Sequence, residues 1–176
     1  MMNKPDSLPT PSLKRRIAVM MYEGTLLFGV VFTAGLAFSV IMQQTHALHL
    51  RHAMQYWLFF VLGAYFVWFW SHGGQTLPMK TWHVKLVTTD GRPLSMGRAA
   101  FRYLLCWLWF VPGLALAAAL RAEGWMMVII ATVSTMIWAL TIYFDPQRQF
   151  LHDRMAGTRL VQTLVRPPKA KKVATA

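Results

Sequence analysis

Long apolar runs alternate with short polar ones along the chain. Ile17 to Met42 carries one charge in 26 residues, Ala53 to Ser71 none in 19, Tyr103 to Leu120 none in 18, and Trp125 to Phe144 none in 20. A bilayer core of roughly 30 Å takes about 20 such residues per helix. The pattern therefore predicts an all-α integral membrane fold with four transmembrane helices, at about 17–42, 53–71, 103–120 and 125–144. Polar, glycine-bearing or proline-bearing stretches at 43–52, 72–98 and 121–124 separate them. The first run is too long for a signal-peptide core and precedes three more, so it is expected to stay in the membrane.

Within the runs, three features bear on packing. Thr25, Gly29, Thr33 and Ala37 recur every four residues in the first, the spacing of a small-residue seam that lets helix backbones approach closely. Pro112 falls inside the third and is expected to kink or interrupt that helix. Trp57, Trp68, Trp70, Trp82, Trp107, Trp109 and Trp125 fall mostly near the predicted ends, as interfacial indoles do. The long connection is different in kind: "KTWHVKLVTTDGRPLS" alternates Trp82, Val84 and Leu86 with His83, Lys85 and Val87 and then turns at Asp90-Gly91. That pattern predicts a short β-hairpin-like segment between helices 2 and 3.

Composition agrees with a membrane solvent, at 56% hydrophobic and 14% aromatic residues. The net charge of +12 would fit a nucleic-acid partner if the basic residues were spread over one soluble surface. They are instead sorted: four Lys or Arg precede the first run, five lie between the second and third, seven follow the fourth, and only Arg51 and Arg121 lie on the other side. By the positive-inside rule both termini and the long connection are cytoplasmic. Topology accounts for the charge without nucleic acid. The chain divides into a tail at 1–13, a transmembrane domain at 14–161 and a basic tail at 162–176 whose "RPPKAKK" is expected near anionic headgroups. Cys106 stands alone, so neither a disulfide framework nor a CxxC pair exists.

Of six acidic residues, Asp6, Asp90 and Glu123 sit in tail, turn and loop, leaving Glu23, Asp145 and Asp153. Glu23 follows Arg16 by seven residues, nearly the same helical face but roughly 10 Å further along the axis, so each is expected to find its partner on another segment. A carboxylate below the headgroups is costly and usually pairs, faces the bundle interior or titrates. Glu23 thus has two readings: an ion pair that docks the last segment, or a proton- or cation-binding group.

"LKRRIAVMMYEG" (Leu13 to Gly24), "GGQTLPMKTWHVKLVTTDGRPLSMGRAAFRY" (Gly73 to Tyr103) and "HDRMAGTRLV" (His152 to Val161) together resemble the RDD family of small bacterial membrane proteins, named for one arginine and two aspartates. Matched by position, the resemblance implies that Arg16 is the family arginine, Glu23 stands at the first acidic position and Asp153 at the second. Glu23 departs from the usual aspartate, keeping charge but changing reach. Pro78 stands where a small flexible residue is expected. The resemblance implies a multispan inner-membrane protein, with transport of unidentified ligands as the usual suggestion.

Asp145-Pro146 is expected to end the fourth helix, and His152 to Thr158 to fold back and place Asp153 near Arg16, Arg98 or Arg102. Neighbouring His152 and Asp153 diverge by about 100° on a helix, and no nucleophile motif accompanies them, so catalysis is not expected. His46, His49 and His52 are weak candidates for a metal, because three-residue steps rotate the third imidazole away from the first. No cofactor is implied. Two functions follow: a small transporter or cation/proton exchanger using Glu23 and Asp153 with Arg16 as counter-ion, with a homo-oligomer as one assembly it could take, or a non-transporting adaptor or assembly factor holding a protein partner at its cytoplasmic face.

Overall fold

The computed structural model describes residues 9–43, 50–144 and 149–163. Asp145, His46 and His49 lie outside them. Among the described residues, seven α-helices and one small sheet follow in the order α1 (Leu13–Ile41), α2 (Arg51–Ser71), α3 (Leu77–Thr81), β1 (Val84–Thr88), α4 (Met96–Cys106), α5 (Val111–Ala119), α6 (Trp125–Leu140), α7 (Leu151–Met155) and β2 (Thr158–Gln162). Short 3₁₀ turns at Trp107–Trp109 and Thr141–Phe144 extend α4 and α6.

Among the described residues, Leu13–Ile41, Arg51–Ser71 and Trp125–Tyr143 are long and apolar enough to cross a membrane. Met96–Trp109 and Val111–Ala119 form a pair bent by 40°, a fourth crossing if the two halves act as one. The break has a local cause. Pro112 lacks an N–H and its ring opposes the carbonyl four residues back, at Leu108, so the helix tightens, stops at Phe110 and restarts with Pro112 in its first turn, where no donor is needed. Helical structure begins at Met96, seven residues before the apolar run, because Ser95 caps it by accepting from Arg98 N at 3.3 Å.

Helix α1 packs on α2 and α3, α2 on α4, and α5 on α6. Close backbone approach occurs in the last pair. A Cβ added to Gly113 would lie 2.7 Å from Ser134 Cβ and 3.2 Å from Ala131 Cα, and Ala117 one turn on is buried. The seam expected on α1 is not used in this way among the described residues: Thr25, Gly29 and Thr33 are exposed, Ala37 is half-buried, and a Cβ at Gly29 would meet nothing within 4 Å. Spacing identifies a small-residue stripe but not the helix that faces it.

The loop strand forms, with a different partner. Val84–Thr88 pairs antiparallel with Thr158–Gln162, Leu86 opposite Leu160, so the hairpin-like segment expected within the loop is replaced by a sheet joining the loop to the end of the chain. The turn at Asp90-Gly91 is present, with Gly91 at φ +76° and Thr88 N donating to Arg92 O at 2.9 Å. Pro93, immediately beyond, has no N–H and cannot extend a ladder on that side. Val84 and Leu86 point into a core with Val19, Trp70, Met79, Leu94, Ala99 and Tyr103. The sheet thereby seals one end of the helical bundle.

Candidate functional site

Glu23 is buried on the third turn of α1, and the segment Gly73–Thr81 supplies one of its partners. Gly74 adopts φ +72°, a conformation that favours glycine, and its carbonyl accepts from Leu86 N at 2.7 Å. A Cβ there would collide with the carbonyl oxygen of Leu86. The Gln75 amide donates to Val84 O at 2.7 Å, fixing the segment to β1. Thr76 is then held fully buried and donates its hydroxyl to Glu23 Oε2. From α2, the Tyr65 hydroxyl donates to Glu23 Oε1 at 2.8 Å. Each carboxylate oxygen thus accepts one neutral hydroxyl, leaving acceptor capacity on both. Pro78 sits in the first turn of α3, where its missing N–H does no harm, and the strand begins only at Val84.

The second cluster joins α4 to α7. Arg102 donates from Nε (2.9 Å) and from a terminal nitrogen (2.6 Å) to Asp153 Oδ1, and its guanidinium lies 4.2 Å from the centre of the Trp70 ring. Asp153 is completely buried, which opposes ionisation, but the Arg102 guanidinium above all, and Arg16 with it, hold its carboxyl below the usual carboxylate range. Its other oxygen, Oδ2, has no hydrogen-bond partner among the described residues. Gly157, at φ +63°, ends α7, and the Thr158 hydroxyl donates to the Asp153 carbonyl at 3.1 Å, so the Ala-Gly-Thr run fixes the turn that carries the carboxylate.

His152 has a defined tautomer. Trp109 Nε1 donates to its Nδ1 at 2.9 Å, and an indole nitrogen can only donate, so Nδ1 accepts and Nε2 carries the proton, 3.4 Å from Asp153 Oδ1. Burial, above all, pushes the imidazole down to about 4, with Arg102 adding to the effect and Asp153 opposing it. The ring is a neutral bracket between Trp109 and the ion pair.

Arg16, buried at the start of α1, donates from Nε to Pro11 O at 3.2 Å and lies 5.7 Å from the centre of the Phe150 ring. Together Arg16, Glu23, Arg102, His152 and Asp153 line one cavity of about 420 Å³. Its remaining wall is apolar and aromatic. Met20 and Phe110 belong to that wall and are still 47% and 51% exposed, so the cavity opens sideways between α1 and the break after α4.

The sequence-predicted charges therefore meet, but in two groups, Glu23 with hydroxyls and Asp153 with Arg102. Arg98 is exposed. Asp145 lies outside the described residues, as do His46 and His49; His52 is exposed and accepts from Arg51 Nε at 3.3 Å. Four contributors were not singled out as site residues from the sequence: Tyr65, Thr76, Trp70 and Trp109. Thr76 lies in the Gly-Gln-Thr-Leu motif, which could have marked it. Trp70 and Trp109 stand near run ends, where interfacial indoles are expected, yet both are buried against the ion-pair cluster. Tyr65 carried no signal in the sequence.

Several long apolar helices around a buried charge cluster, closed at one end by a two-stranded sheet, define a small helical membrane protein. The chain matches the RDD family over residues 10–157 and belongs to it. No curated protein and no solved structure matches it.

Proposed function

We propose that this RDD family protein is a small proton-coupled cation transporter in which Glu23 alternates between a proton and the transported cation. One observation carries the reading: Glu23 lines the cavity and, among the described residues, is held by the neutral donors Tyr65 and Thr76, whereas Asp153 is committed to Arg102. A carboxylate held by neutral donors keeps its charge to offer to a ligand; one locked in a buried ion pair does not. Asp153 and Arg102 serve as the fixed joint between α4 and α7. His152 presents no free base, because Nδ1 accepts from Trp109, so the cluster favours binding over catalysis.

The membrane arrangement that suits this reading counts Met96–Ala119 as a single broken crossing, giving four. The sheet, the cavity floor and both termini then face the cytoplasm of a bacterial inner membrane, as the distribution of Lys and Arg favours. Four crossings enclose little space, which favours a homo-oligomer.

The test is dissipation of an imposed pH gradient in proteoliposomes on addition of cations, with wild type and Glu23→Gln compared at matched folded protein. Flux that disappears in the variant supports the proposal. Absence of flux with every cation tried, from well-folded wild type, counts against it and favours the adaptor role.

A further inference from the structure

The cavity wall restricts the kind of cation, and this step rests on the transport reading above. We infer that the ligand is a lipophilic organic cation, an ammonium or phosphonium with an apolar body, which approaches from the side between α1 and Phe110 and brings its charge to Glu23.

A bare metal ion needs several oxygen ligands, about six for the hard divalent ions. Here the wall is built from helices whose carbonyls are spent within the helix, and its side chains are mostly aliphatic and aromatic. Two carboxylates reach the cavity, and one already accepts twice from Arg102. An organic cation asks for the opposite: one anionic group and a large apolar surface with ring faces. Phe66, Tyr103 and Trp107 provide that surface in sequence along the wall, Phe66 at 6.2 Å from Tyr103 and Tyr103 at 6.2 Å from Trp107 between ring centres. Aromatic faces attract organic cations through the ring quadrupole, more strongly away from water.

Charge assignment favours the cation over an anionic amphiphile. The guanidinium of Arg102 is engaged by Asp153 and stacked on Trp70, while Arg16 is bonded to Pro11 O and lies over Phe150. Both arginines belong to the cavity floor; Glu23 lies two turns of α1 deeper, roughly 10 Å along the axis from Arg16. The volume of about 420 Å³ falls within the range that holds drug-sized molecules. The opening is broad where Gly24 lines it, since a Cβ at that position would meet nothing within 4 Å.

Equilibrium dialysis of tetraphenylphosphonium against the detergent-solubilised full chain tests this, with Glu23→Gln and Gly24→Phe as variants and a thermal melt as the folding control. The expected result is saturable binding to wild type, insensitive to added sodium chloride, about tenfold weaker in Glu23→Gln for loss of the charge. Gly24→Phe, whose ring has open space to occupy, should fold normally and also bind at least about tenfold more weakly. It keeps the test decisive if Glu23→Gln fails to fold. No saturable binding to folded wild type, binding unchanged in a folded Glu23→Gln, or displacement by sodium each overturns the inference. Sodium- or potassium-driven proton flux without phosphonium binding would overturn it and leave the transport reading standing. Phosphonium binding without flux of any cation would sustain the site and remove transport.

Discussion

Two nitrogens of Arg102 converge on a single oxygen of Asp153, at 2.9 and 2.6 Å, and the carboxylate's other oxygen is buried with no hydrogen bond among the described residues. The geometry is that of a joint between α4 and α7 rather than of a side-by-side fork, and it brings the last segment of the chain onto the bundle. Removing either partner strands a charge in a dry site, which typically costs about 3–5 kcal/mol. Arg102→Met and Asp153→Asn should each lower stability by that order, measured as unfolding in detergent. In a double-mutant cycle the Arg102–Asp153 coupling should exceed that of Arg16–Asp153, because Arg16 affects the carboxylate only through its field. Equal coupling for both arginines would contradict the assignment of Arg102 as the direct partner.

The same cluster sets a pH response. His152 titrates near 6.5 when unfolded but is held down to about 4 in the fold. Between those values the unfolded chain binds the extra proton, so stability is fully present above about pH 6.5 and is lost as pH falls towards 4. The loss from this group is on the order of 3 kcal/mol. Asp153, held below 3.8, contributes stability that disappears only at lower pH, so the two windows separate. Stability of wild type should decline from pH 6.5 to 4.5 and that of His152→Gln should be flatter. A wild-type profile as flat as the variant's would show that the imidazole is not held neutral.

Much of this fold could be read from solvent physics. The four apolar runs coincide with α1, α2, the α4–α5 pair and α6, because a bilayer demands length and apolarity that few other structures need. The break at Pro112 and the turn at Asp90-Gly91 also follow from single residues. The pairing of β1 with β2 did not, since a strand pattern states that an edge exists and leaves its neighbour open, and Thr158–Gln162 lies 70 residues further along the chain. Glu23 and Asp153 drew notice because buried charge is costly, but their partners did not follow. Tyr65 and Trp109 look like any aromatic in an apolar run until the fold turns their polar tips towards Glu23 and His152.

Helix packing offers a contrast between two glycines. At Gly113 an added methyl would sit 2.7 Å from Ser134 Cβ and close to the α6 backbone, so α5 and α6 would have to separate. Gly113→Ala should cost about 1–3 kcal/mol, the range for overpacking a close-packed contact. Gly29→Ala has open space and alanine is the better helix former, so the variant should be neutral to about 1 kcal/mol more stable in the isolated chain. Thermal midpoints of the two variants in detergent decide the matter. A large loss at Gly29 that depends on protein concentration would instead place that face at a contact between copies.

The hydroxyls around Glu23 separate positioning from charge. Thr76→Val keeps the shape of the side chain but leaves Glu23 Oε2 without its donor, and Tyr65→Phe does the same at Oε1. A hydrogen bond to a charged group is worth about 1.5–3 kcal/mol, and Thr76, being fully buried, should lie at the upper end. If the proposed transport function holds, both variants keep the carboxylate, so cation-dependent flux in proteoliposomes should persist with a shifted pH profile, whereas Glu23→Gln should abolish it. Both hydroxyls donate to the same carboxylate and bear on the same proton. Tyr65→Phe and Thr76→Val should therefore move the profile the same way, and the double variant further. Opposite shifts would mean that one hydroxyl bonds the protonated carboxyl instead, and the coupling step would have to be assigned to a different pair of states.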